Sequence, residues 1–288
     1  MKRELCAWAG ALGIGAVLLW SPCRAQEPGQ AAGQPPTSGA EGGDQGAQAL
    51  AKQLSNPIAN LISVPFQANW DTDVGIEDDT RFLHNFQPVM PFSMNKEWNL
   101  IARVIVPYLG QPALSPGGEP ASGFSDILFS AFFSPAQPKR AIWGVGPVLS
   151  LPTTSEPTLG TEKWSIGPTF VILKQSGPWT YGALGNHLWS LAGDDDRDDV
   201  NQTYLQPFLA YGTKGGATFT VSSESSANWE APSGEEWTVP ILLQASRVTR
   251  LGRRPISIGG GIGYFFETPF DAGPDWRLRA NLTLLFPK

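Results

Sequence analysis

The stretch that decides the fold is Glu97-Trp98-Asn99-Leu100-Ile101-Ala102-Arg103-Val104-Ile105-Val106-Pro107-Tyr108. Its even positions, Trp98, Leu100, Ala102, Val104, Val106 and Tyr108, are apolar, with an aromatic ring at each end. Glu97, Asn99 and Arg103 fall on odd positions. A period of two sets the apolar and polar residues on opposite faces of a β-strand. The segment is about as long as the ~9–11 residues a tilted strand needs to cross a bilayer's hydrocarbon.

Working outward, the same phase recurs. In 61–70 the even positions are Ile62, Val64, Phe66, Ala68 and Trp70, and Ser63, Gln67 and Asn69 are odd. In 81–92, Phe82, Phe86, Met90 and Phe92 alternate with Arg81, Asn85 and Gln87. The last segment, 275–286, sets Trp276, Leu278, Ala280, Leu282, Leu284 and Phe286 against Arg277, Arg279 and Asn281. Further strands are predicted at 124–134, 141–152, 163–174, 179–191, 203–212, 217–228, 236–248 and 255–267. Periodicity is blurred in 124–134 and 163–174, where both faces look apolar.

The connections alternate in length. Short turns are predicted at 93–96, 135–140, 175–178, 213–216 and 249–254. Longer Asp-, Gly- and Pro-rich loops are predicted at 71–80, 109–123, 153–162, 192–202, 229–235 and 268–274. Short turns on one side and long loops on the other are the pattern of outer-membrane barrels, whose short turns are periplasmic. An all-β fold follows: an antiparallel transmembrane β-barrel of about 12 strands over 57–288. Trp70, Trp98, Tyr108, Trp143, Trp164, Trp179, Trp189, Trp237 and Trp276 form its interfacial girdles. A soluble β-sandwich needs no such asymmetry of loops.

Composition agrees. A charged fraction of 16% with 11 Trp and only 2 His suits a barrel whose outer surface is apolar more than it suits a soluble enzyme. Met1-Lys2-Arg3-Glu4, the uncharged run from Leu5 to Trp20, and Cys23 and Ala25 before Gln26 read as a secretory leader over 1–25. Its removal takes away both cysteines, Cys6 and Cys23. It also removes three cations (Lys2, Arg3, Arg24) and one anion (Glu4), moving the formal charge from −6 to −8. An acidic chain is a poor partner for nucleic acid. Residues 26–56 form a low-complexity periplasmic segment, disordered to about Gln48; Ala49–Ser55, stopped by Asn56-Pro57, read either as a short helix at the barrel's periplasmic mouth or as a loosely ordered linker.

Asn60-Leu61-Ile62-Ser63-Val64-Pro65-Phe66-Gln67, Glu97-Trp98-Asn99-Leu100-Ile101, Trp143-Gly144-Val145-Gly146-Pro147, Gly177-Pro178-Trp179-Thr180-Tyr181-Gly182 and the closing Leu285-Phe286-Pro287-Lys288 carry a resemblance. The chain resembles proteobacterial outer-membrane proteins of the MetA-pathway of phenol degradation family, whose members are often labelled transporters or "neuromedin U". The resemblance implies an outer-membrane barrel of undefined cargo and brings no binding or catalytic residues with it. The chain departs from the outer-membrane norm by ending on Pro287-Lys288 after its last aromatic residue, the end read by the barrel-assembly machinery.

With the apolar row facing lipid, the polar row lines the lumen, and it carries four arginines. Arg81, Glu97, Asn99, Arg103, Arg277 and Arg279 are the expected constriction, favouring small anionic or polar solutes through their field. The alternative is that Arg81 and Arg103 pair with Glu97 or Asp126 and help to plug a narrow lumen. Asp194, Asp195, Asp196, Asp198 and Asp199 read either as an acidic solvated loop or as a weak divalent-cation site bridging to lipopolysaccharide. His84 and His187 lie in the apolar phase. A hydrolytic pairing of His187 with Asp194 or Asp195 is the third functional reading, after a channel and a non-conducting barrel that acts through its acidic loops. No serine or aspartate is spaced to single out a catalytic site, so no enzyme activity and no cofactor are expected. Gly259-Gly260-Gly261-Ile262-Gly263 lies inside a strand and precedes no helix, so it is not a nucleotide loop. Its glycines relieve crowding in the wall.

Overall fold

The computed structural model describes residues 40–75, 77–114, 117–269 and 273–287, so the predicted leader lies outside the described residues. Helix α1 (Ala40–Leu54) is followed by β1 (Ile62–Val74), β2 (Asp79–Phe86), β3 (Val89–Ser93), β4 (Trp98–Gln111), β5 (Ala121–Phe124), β6 (Ile127–Pro135) and β7 (Ile142–Leu151). After a 3₁₀ turn at Pro157–Leu159 come β8 (Lys163–Ser176), β9 (Trp179–Gly193), β10 (Asn201–Gly212), β11 (Ala217–Ser223), β12 (Ser225–Asn228), β13 (Trp237–Leu251), β14 (Arg254–Glu267) and β15 (Trp276–Phe286).

Each wall pairs antiparallel with its sequence neighbour, and β1 pairs β15 from Ile62 opposite Phe286 to Asp71 opposite Arg277. The sheet therefore closes, with no free edge. Fifteen segments make twelve walls, because β2 with β3, β5 with β6, and β11 with β12 are each one wall interrupted. Every interruption faces a proline. Gln87 N–H reaches Pro65 O at 2.9 Å, Ser125 N–H reaches Pro107 O at 3.0 Å, and Ser223 Oγ donates to Pro240 O at 2.8 Å. Proline offers the neighbouring strand a carbonyl and no N–H, so the ladder lapses there; it resumes in register at β3 and β12, and with a one-residue shift at β6.

All nine predicted girdle aromatics are exposed on the outer face. They pack edge-on along it, Trp98 against Trp143 at 5.9 Å and Tyr264 against Trp276 at 4.9 Å between ring centres. Phe133, Phe170, Ile172, Leu243, Ile258, Ile262 and Leu278 fill the band between, also exposed. An outer surface this apolar is satisfied by lipid, not by water.

Gly261 belongs to the inward row of β14. A Cβ there would lie 2.6 Å from Leu243 O and 2.7 Å from Gln244 Cγ. The glycine thus lets β13 and its inward glutamine approach closely. Gly261→Ala is expected to cost about 1–3 kcal/mol as an overpacked contact. Urea unfolding followed by tryptophan fluorescence measures it, and an unchanged midpoint would mean that the wall gives way there.

Two expectations change. Residues 71–80 are not a long loop: β1 runs on to Val74, which pairs with Asp79, and Gly75 at φ +82° helps close a tight hairpin. The helix starts at Ala40, not Ala49, so 40–48 is helical. Propensity alone does not order this glycine-rich stretch. Docking does: Ala47, Leu50, Ala51 and Leu54 pack with Ala59, Leu61, Val248 and Leu285 at the short-turn end of the barrel.

Candidate functional site

Asn69 and Asp71 on β1, Arg81 on β2, Arg103 on β4, and Arg277 and Arg279 on β15 all stand in the inward phase of their strands, as does Glu224 between β11 and β12. Asp71 and Asn69 are fully buried. Arg277 reaches the Asp71 carboxylate with Nε at 2.6 Å and Nη2 at 2.8 Å, and Arg81 Nη2 binds the same carboxylate at 2.8 Å. Arg279 grips Glu224 with both Nη atoms, at 2.6 and 2.7 Å, and donates Nε–H to Asn69 Oδ1 at 2.7 Å. Arg277 also touches Glu224 at 3.4 Å and lies over the Phe265 ring at 5.1 Å. Two-pronged guanidinium–carboxylate pairs are the geometry that holds buried charges in one arrangement.

Arg103 differs from the other three arginines. Its Nη2 donates to Gln87 Oε1 at 2.8 Å, and among the described residues it forms no ion pair with a carboxylate. Four guanidiniums thus face two carboxylates, a surplus of two positive charges, and among the described residues Arg103 is the one of the four outside the ion pairs.

The lumen divides at this level. On the loop side is a cavity of about 810 Å³ that Arg103, Arg277, Arg279, Tyr204 and Glu224 line at its inner end. On the short-turn side is a smaller cavity of about 310 Å³ beside α1. Arg103 and Gln87 line both. Ile58, four residues beyond the end of α1 at Leu54, enters the barrel and is buried with Ile101, Phe132, Val171, Leu173 and Leu184. This interior core accounts for part of the blurred periodicity of 124–134 and 163–174: Phe132, Val171 and Leu173 are inward and apolar because they pack against the inserted segment. Gln175 Nε2 bonds Lys52 O at 2.8 Å, tying the helix to the wall.

The predicted constriction residues separate. Arg81, Arg103, Arg277 and Arg279 come together at one level of the lumen. Asn99 is inward but nearer the short turns, opposite Ser93 and Ser134. Glu97 precedes β4 in an exposed turn, its N–H on Asn95 Oδ1 at 2.8 Å, and is not in the cluster. Neither Glu97 nor Asp126 pairs with Arg81 or Arg103. Asp126 accepts the backbone N–H groups of Thr153, Thr154 and Thr161 and the Thr161 hydroxyl, and so holds the 152–162 loop. The anions that do pair, Asp71 and Glu224, were not singled out by sequence. Asp71 falls in the predicted 71–80 loop, although it continues the odd row through Asn69. Glu224 continues the inward row Thr218, Thr220, Ser222, and a lone carboxylate in that row was the available signal.

Asp194 Oδ1 accepts the Asp196 N–H at 2.9 Å, and Asp199 bonds Ser190 Oγ at 3.0 Å and meets Lys163 Nζ at 3.6 Å. Asp195, Asp196 and Asp198 are exposed. Among the described residues no group of three or more acidic, histidine or cysteine side chains is placed to hold a metal ion. His84 lies among Phe66 and Phe82 on the outer face. His187 shares a hydrogen bond with Thr203 Oγ1 at 2.8 Å beside Trp189, and no contact joins it to Asp194 or Asp195.

No family model and no curated protein matches the sequence. The fold is similar to that of an outer membrane channel from Pseudomonas putida F1, with a TM-score of 0.60 and 15% identity over 79% of this chain and 96% of that one. It is less similar to outer membrane phospholipase A from Escherichia coli, with a TM-score of 0.46 and 13% identity over 83% and 97%. The chain has the fold of an outer-membrane β-barrel.

Proposed function

We propose that the protein is an outer-membrane channel for small anionic solutes, exported by its 1–25 leader and set in outer-membrane lipid and lipopolysaccharide. The observation that carries this is Arg103, a guanidinium without a carboxylate partner at the junction of the two lumen cavities. A fixed cation where the two cavities meet in a low-dielectric tube attracts anions and repels cations. The ladder of Asp71, Glu224, Arg81, Arg277 and Arg279 braces that level, and Arg103 supplies the unspent charge. The fold it shares with an outer membrane channel and the resemblance to the MetA-pathway group both accord with transport. Solute passage requires α1 and Ile58 to leave the short-turn mouth.

A second reading, a non-conducting barrel acting through its loops, is favoured by the Ile58 core, which fills that mouth. Recording of the full-length protein in planar bilayers separates the two. Discrete current steps are expected, and a silent membrane at every voltage would refute the channel.

A further inference from the structure

We propose that the loop-side cavity is a binding site for amphipathic monocarboxylates, the carboxylate held at Arg103 and an apolar body lying toward the loops. The proposal rests on the channel reading and names its solute class. On β4 the inward row runs outward from Arg103 through Ile105 and Pro107 to Leu109, with about 6.6 Å between successive inward residues. Ile105 pairs with Leu128 on β6, and Leu109 pairs with Leu83 on β2. These four side chains form one apolar patch that begins one inward position beyond the unpaired guanidinium. All four line the cavity and stay partly exposed to it.

A pore for small hydrated anions has no use for that patch, since apolar walls desolvate an ion and return nothing. A wall of this kind beside a cation matches a ligand with a charge at one end and a hydrocarbon at the other. Arg103 Nη2 is committed to Gln87, and its remaining N–H groups are free to meet a carboxylate as a fork. The acids nearby do not compete for it. Asp71 and Glu224 are held by Arg81, Arg277 and Arg279, and Asp126 is saturated by the 152–162 loop. The cavity, at about 810 Å³, is within the ~300–1,000 Å³ usual for small-molecule sites.

Calorimetric titration of the full-length protein in detergent with acetate, hexanoate and hexanol tests this, with empty micelles subtracted. Each methylene taken from water contributes roughly fourfold, so hexanoate is expected to bind at least tenfold more tightly than acetate. Arg103→Gln is expected to weaken hexanoate at least tenfold, and Ile105→Thr to weaken it severalfold. Hexanol is expected to bind more weakly than hexanoate. Equal affinity for acetate and hexanoate, or unchanged hexanoate binding in Arg103→Gln, would overturn the site. Chloride preference across a bilayer is read separately, so the channel can stand where this site fails.

Discussion

Asp71→Asn is expected to destabilise the barrel by about 3–5 kcal/mol, the cost of removing one partner from a buried ion pair. The carboxylate is fully buried and holds Arg277 and Arg81 through two hydrogen bonds each. Asparagine keeps the shape and one acceptor oxygen but leaves two guanidiniums facing each other without the intervening charge. Urea unfolding of the refolded protein, followed by tryptophan fluorescence, gives the difference. Adding Arg277→Gln removes one stranded cation and should recover part of it. A loss below about 1 kcal/mol would mean that water screens the cluster far more than its burial implies.

Ile58→Ala is expected to act on closure, not on the wall. Its side chain is the part of the 55–61 linker that enters the barrel and packs on Phe132 and its neighbours. Truncating a buried isoleucine costs at least about 2 kcal/mol. Because Ile58 lies outside every strand, that loss falls on docking of the α1 segment. About 2 kcal/mol is about thirtyfold in the closed-to-open ratio. Open probability in bilayers should rise by about that factor, with the urea midpoint of the barrel little changed. An unchanged open probability would show that something other than this segment closes the mouth.

The strand phases were legible because lipid outside and a polar lumen inside impose a strict period of two. That is why Trp98, Leu100 and Arg103 face where their spacing places them. The phase is blurred in 163–174, where Val171 and Leu173 face inward against Ile58 and put apolar residues on the inner row too. A lumen plugged by its own chain erases the contrast from which the phase is read. Four arginines of the site were found as members of the polar row. Their partners were missed because Asp71 sits among Asp and Thr residues that resemble a loop, and because pairing across the lumen joins residues such as Glu224 and Arg279 that are 55 apart in sequence. Glu97 shares the phase of Arg103, yet the strand begins after it, at Trp98. A phase fixes the face of a residue and not its depth.

The measurement that bears most directly on the channel is the reversal potential of the full-length protein under a tenfold KCl gradient. With four guanidiniums and two carboxylates at the junction, it is expected to shift toward the chloride equilibrium potential, and Arg103→Gln, which removes one of the two surplus charges, is expected to bring it about halfway back to zero. A shift toward potassium, or one that Arg103→Gln leaves intact, would contradict a lumen whose selectivity centres on Arg103.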